Sequence, residues 1–256
     1  MPSQQPVVRR SAASADAGEL AERVAAQLIS ALARVQATGL VPSVVLTGGS
    51  IAVKIHAAVA GSPDRDLVDW GQVDFWFGDE RFVPSDHPDR NARQAAEAML
   101  NHLPVDPARV HVIAPSDGEY GSDVDAAAAG YAQELSDAAG LGESPTPTFD
   151  ILMLGIGPDG HCASLFPGRR EMYDDRPVVA VRDSPKPPPT RITLTMGPLR
   201  RAKELWFVAA GDDKAQAVRD ALSGADPADV PAAGPEGIER TLWFVDAEAA
   251  SLLPPD

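Results

Sequence analysis

The chain has 256 residues, 44% of them hydrophobic and 23% charged. That is enough length and apolar content for a full buried core, which excludes a disordered, collagenous or coiled-coil polypeptide. Its 22 Lys and Arg against 37 Asp and Glu leave a net charge of −15. Such a balance argues against non-specific attraction to nucleic acid or to anionic membranes, both of which need a basic surface.

Within the first 13 residues, which read as a flexible N-terminal tail, MPSQQPVVRR has no hydrophobic signal core. The remainder reads as a single α/β domain. From Ser14 to Thr38 the apolar residues Leu20, Val24, Leu28, Leu32 and Val35 recur at helical spacing. Asp16 and Glu19 form a helix start signal, and Gly39 a stop. The run Val44 to Thr47 then reads as a strand, Gly48-Gly49-Ser50 as a tight turn, and Ile51 to Ala60 as a helix. The same strand-then-helix pattern returns with Val73 to Phe77, a polar loop and a helix from Asn91 to Leu100. Further strands are expected at Val110–Ile113, Phe149–Leu154, Val178–Val181, Arg191–Thr195, Leu205–Ala209 and Leu242–Val245. The segments Ser184 to Pro189 and Ala225 to Gly237 read as loops, the first a semi-rigid proline connector. Continuous apolar strands alternating with helices predict a sheet buried on both faces, hence a layered α/β fold. No stretch approaches the roughly 18 apolar residues of a membrane span, and the one cysteine, Cys162, excludes an internal disulfide or a multi-thiolate metal site. The expected location is therefore the cytoplasm.

In such folds ligands collect at the carboxyl ends of the strands, and four polar clusters follow predicted strands. The turn Gly48-Gly49-Ser50 offers backbone N–H groups to an anion, although it matches neither the P-loop nor the dinucleotide pattern. Next come Asp79, Glu80 and Arg81, whose guanidinium suits a phosphate or a polarised carbonyl; Asn91 downstream reads as a helix cap. Asp159-Gly160-His161 then sets an imidazole, the side chain suited to proton transfer near neutrality, in a glycine turn. Asp159 is close enough to orient it. Cys162 reads as a small buried hydrophobe rather than a nucleophile, since adjacent side chains on an irregular turn seldom face each other. The last cluster is cationic, Lys186, Arg191 and Lys214, and would gather positive charge for an anionic ligand on an acidic protein.

Taken in order, TGGS, FWFGDERFVPSDHPDRN, DILMLGIGPDGHCASLFPG, KPPPTRITLT and GDDKA resemble the 6-phosphogluconolactonase family over nearly the whole chain. The resemblance implies a Rossmann-like three-layer α/β/α fold with a mainly parallel sheet, and hydrolysis of 6-phospho-D-glucono-1,5-lactone to 6-phosphogluconate in the oxidative pentose phosphate pathway. It implies His161 as general base supported by Asp159, and Arg81 on the carbonyl or anionic oxygen. Gly48, Gly49, Ser50, Arg191 and Lys214 would hold phosphate, with Asp79, Glu80 and Gly160 completing the binding set. No metal or other cofactor is expected, and no partner beyond the small-molecule substrate; the assembly expected is a monomer or small homo-oligomer. One departure is visible, Cys162 where threonine is common, and either side chain is small.

Two alternatives remain open on sequence. A glucosamine-6-phosphate deaminase shares the glycine turn, Asp79-Glu80 and Asp159-Gly160-His161, but continues past the histidine into Phe-Asn-Glu-Pro and has tyrosine where Arg81 stands. This chain has Ser164-Leu165-Phe166-Pro167. A non-catalytic sugar-phosphate sensor would keep the binding turn without needing His161 and Asp159.

Overall fold

A computed structural model describes residues 14–140 and 144–254; the N-terminal tail expected over residues 1–13 lies outside them. The chain opens with α1 (Ala17–Gln36), whose start is fixed by Asp16 accepting hydrogen bonds from the N–H groups of Gly18 and Glu19. Glu19 accepts from the N–H of Ala15, one residue before the cap, at 2.8 Å. The stripe Leu20, Val24, Leu28 and Leu32 is buried, as its spacing predicts.

The central sheet contains β1 (Ser43–Leu46), β2 (Asp74–Phe77), β4 (Phe149–Gly155), β7 (Ala202–Ala209) and β8 (Arg240–Val245). All pairings in it are parallel, in the order β2-β1-β4-β7-β8. The strands bury almost every residue, which is why they read as continuous apolar runs. Three further helices are α2 (Ser50–Gly61), α3 (Asn91–Ala98) and α4 (Val124–Ala139). α1 packs on α2 and α2 on α3. The short α5 (Met196–Leu199) follows, and α6 (Ala215–Leu222) joins β7 to β8. Among the described residues no helix is long and apolar enough to cross a membrane.

Three expectations need correction. Val178–Val181 and Arg191–Leu194 are strands, β5 and β6, but they belong to a second, antiparallel sheet in the order β3-β6-β5. Its third member, β3 (Asp79–Arg81), is the polar cluster that reads from sequence as a loop. The chain changes sheets at Gly78, whose N–H still donates to Leu46 of the parallel sheet while its carbonyl accepts from Leu194 of β6. α4 packs on β5 and β6. Val110–Ile113 forms no strand: a single bridge pairs Val110 with Phe75, and the Ile113 carbonyl is taken by the Arg90 guanidinium at 2.6 Å. A carbonyl so occupied cannot extend a ladder.

Candidate active site

β1 lies between β2 and β4 in the sheet, so successive connections leave it toward opposite sides. That switch opens a crevice beyond the carboxyl ends of β1 and β4. The turns that follow these strands meet there, with the Gly155 N–H donating to Thr47 Oγ1 at 3.2 Å. A cavity of about 190 Å³ occupies the crevice. Its wall includes Gly48, Gly49 and Ser50 after β1, His161 after β4, Lys214 after β7, and Asp79, Arg81, Arg191 and Lys186 from the second sheet and its loop.

Each turn is shaped by steric need. Gly49 has φ +100° and serves as the N-cap of α2 without any side-chain cap, leaving the first N–H groups of that helix uncapped at the cavity. Gly157 is required for a different reason: a Cβ there would lie 2.0 Å from His161 Nδ1. The backbone thus passes directly beneath the imidazole. On its other side the ring rests on Phe166, with centroids 4.6 Å apart.

His161 Nδ1 is 2.5 Å from Asp159 Oδ1, and Lys186 Nζ is 3.2 Å from the same oxygen. Burial opposes ionisation of Asp159, but the hydrogen bond from His161, the charges of His161 and Lys186, and the Lys186 hydrogen bond outweigh it. Together they hold the carboxyl well below the usual carboxylate range. An ionised carboxylate only accepts, so Nδ1 is the ring nitrogen that carries the shared proton, and in the neutral imidazole the free lone pair belongs to Nε2. That is the geometry of an oriented general base.

The strand β3 alternates its side chains. Asp79 and Arg81 face the cavity and Glu80 faces away. Glu80 is buried, and accepts from the N–H groups of Asn91 and Ala92 at 2.7 and 2.9 Å, capping α3, with Arg90 3.6 Å away. Burial raises its carboxyl above the ordinary value despite that cation. Glu80, placed in the binding set from sequence, therefore stands outside the cavity wall. So does Gly160, whose φ of +82° and contact with Val230 make it part of the turn's scaffold, and Asp159, which reaches the cavity only through His161 and Lys186.

Arg191 begins β6 almost fully buried. Its guanidinium donates to the carbonyls of Lys186, Pro187 and Pro188 at 3.1–3.2 Å and to Ser164 Oγ at 3.4 Å. Burial pushes it below the usual guanidinium range, with Asp79 opposing. Lys214 Nζ is 2.8 Å from the exposed Asp213 carboxylate. Cys162 is fully buried and burial pushes its thiol up, away from thiolate chemistry. Among the described residues no group of three or more His, Cys, Asp or Glu is placed to hold a metal ion.

Three cavity neighbours carry more than the sequence reading assigns them. Asn91, read as a cap, accepts from Arg81 Nη1 at 2.9 Å and donates to the Asp79 carbonyl at 2.9 Å. Ser164 donates to Asp79 Oδ2 at 2.6 Å. Phe166 carries the His161 ring. Their partners are up to 85 residues away, and no local pattern announces such contacts.

The family described as glucosamine-6-phosphate isomerases/6-phosphogluconolactonase matches residues 15–243. The chain belongs to this family. A 6-phosphogluconolactonase of Streptomyces coelicolor is 54% identical over 239 residues, 92% of this chain and 91% of its own. The Homo sapiens 6-phosphogluconolactonase is 38% identical over 81% of this chain and 79% of its own. Among solved structures, a 6-phosphogluconolactonase from Trypanosoma brucei superposes with a TM-score of 0.81 at 27% identity, covering 98% of this chain and all of that one. A monomeric glucosamine-6-phosphate deaminase superposes at 0.76 with 20% identity, and shares the fold. The mainly parallel sheet flanked by helices is thus the family's architecture.

Proposed function

We propose that the chain hydrolyses 6-phospho-D-glucono-1,5-lactone to 6-phosphogluconate. The observation that carries this reading is His161, held 2.5 Å from Asp159, in one cavity with the cationic residues Arg81, Lys186, Arg191 and Lys214. The 6-phosphogluconolactonase relatives, up to 54% identical over most of the chain among those compared, support it.

In this mechanism Nε2 of His161 takes a proton from water as the water oxygen attacks the lactone C1. Asp159 keeps the proton on Nδ1 and stabilises the imidazolium that forms. Arg81 faces the oxyanion as charge develops on the former carbonyl oxygen. The tetrahedral intermediate collapses by breaking the C1 to ring-oxygen bond, and the imidazolium returns its proton to the leaving oxygen. At the far end of the substrate the phosphate is held by Arg191, Lys214 and the uncapped N–H groups of the Gly49-Ser50 turn. The segment after His161 carries no glutamate before Pro167, which favours lactone opening over the deaminase chemistry of related enzymes.

The experiment generates the lactone in situ with glucose-6-phosphate dehydrogenase and follows its decay above the spontaneous rate. Acceleration by wild type and its loss in His161→Ala support the reading. A wild-type protein that leaves the spontaneous rate unchanged overturns it.

A further inference from the structure

β3 and β6 run antiparallel with Arg81 directly opposite Arg191, and Asp79 opposite Thr193. Two guanidinium groups on one rung repel, so the pair needs a counter-ion held in a fixed place. Asp79 stands two residues from Arg81 on the same face of β3 and is itself nearly buried. Each side of its carboxylate is connected to one arginine. On one side Asn91 Nδ2 reaches Asp79 Oδ1 at 3.3 Å and its carbonyl at 2.9 Å, while Asn91 Oδ1 accepts from Arg81 Nη1 at 2.9 Å. On the other, Ser164 Oγ donates to Asp79 Oδ2 at 2.6 Å and accepts from Arg191 Nη1 at 3.4 Å.

We propose that Asn91 and Ser164 are positioning residues that brace the two cavity arginines against the single carboxylate of Asp79, Asn91 setting Arg81 and Ser164 setting Arg191. The brace explains a requirement elsewhere in the cavity. A Cβ on Gly48 would lie 1.9 Å from Asn91 Oδ1, so the glycine turn is moulded around the amide that holds Arg81. It also explains why both linkers are buried: exchange with water would loosen a bridge that must hold charged groups apart. The inference deepens the proposed reaction, for it rests on Arg81 serving the reacting carbon and Arg191 the phosphate.

The division of labour predicts opposite kinetic signatures. Ser164→Ala should raise KM for 6-phosphogluconolactone, and the Kd for inorganic phosphate measured by calorimetry, about tenfold, with a less than twofold fall in kcat. Asn91→Ala should lower kcat about tenfold with KM and phosphate Kd nearly unchanged. Coupling closes the argument: in an Arg191→Ala background, Ser164→Ala should add nothing further to the phosphate Kd. The near-isosteric variants Ser164→Cys and Asn91→Asp should act in the same directions, and serve if an alanine variant does not fold. Equal effects of both substitutions on kcat and KM, or additive effects in the Arg191→Ala background, would overturn the brace. Phosphate calorimetry requires no turnover. Wild type that binds phosphate but leaves the lactone untouched therefore removes the proposed reaction, while a phosphate Kd unchanged by Ser164→Ala removes the brace.

Discussion

Arg81 and Arg191 occupy the same rung of the antiparallel β3–β6 pair and both line the cavity. Like charges placed directly across a ladder are destabilising, so the fold tolerates this rung only because Asp79 and a set of loop carbonyls surround it. The arrangement suits a ligand that brings its own negative charge.

Asp159→Asn retains shape but replaces an acceptor-only carboxylate with an amide that can turn its donor toward Nδ1. The favoured imidazole tautomer then places the proton on Nε2, where the proposed mechanism needs the lone pair. The expected result is a kcat lowered about 100-fold with little change in KM, read in the coupled lactone assay. Turnover within a factor of two of wild type would remove Asp159 from the base.

Gly157→Ala tests the same pair through the backbone. A Cβ 2.0 Å from Nδ1 must push the imidazole off Asp159, so kcat should fall about 100-fold or more. Circular dichroism should show a folded chain.

Glu80→Ala separates scaffold from site. Removal of one member of a buried ion pair that also caps α3 should cost about 3–5 kcal/mol of stability, seen as a lower Tm. The protein that remains folded should retain a KM near that of wild type. A large rise in KM at unchanged stability would return Glu80 to the substrate.

His56 on α2 is buried, with neither ring nitrogen hydrogen-bonded among the described residues. Burial pushes its imidazole down to about 4. With the folded value below the unfolded one, its contribution is complete above about pH 6.5 and is lost as pH falls toward 4. His56→Leu should therefore stabilise the protein by about 1 kcal/mol at neutral pH and flatten the decline in Tm between pH 6 and 4.

His111 shows the opposite sign. Burial opposes protonation, but hydrogen bonds and charges from Asp74 and Glu134 outweigh it and raise the imidazole to about 9. Nδ1 lies 2.7 Å from Glu134 Oε1, and the ring stacks on Trp76 with centroids 3.7 Å apart. Its stabilisation is full below about pH 6.5 and is lost as pH rises through 9. Between pH 7 and 10 the wild type should lose about 1 kcal/mol that His111→Gln does not lose, as chemical denaturation at the two pH values would show.

The parallel strands, the helix stripe of α1 and the glycine turns were legible in the sequence because each depends on residues close together in the chain. Hydrophobic runs report burial on both faces, Asp16 and Glu19 report a cap, and Asp159 and His161 are two residues apart. What the sequence could not determine depends on contacts between distant segments. β3 looked like a charged loop because its three residues are all polar, and only pairing with β6 makes it a strand whose alternation turns Asp79 and Arg81 inward and Glu80 away. Val110–Ile113 had strand composition, yet Arg90 claims its carbonyl. Asn91 read locally only as a helix cap, and Ser164 had no local signature. Their partners are assembled by the change of sheet at Gly78, and hydrogen bonds to a buried carboxylate are chosen by three-dimensional proximity rather than by spacing along the chain.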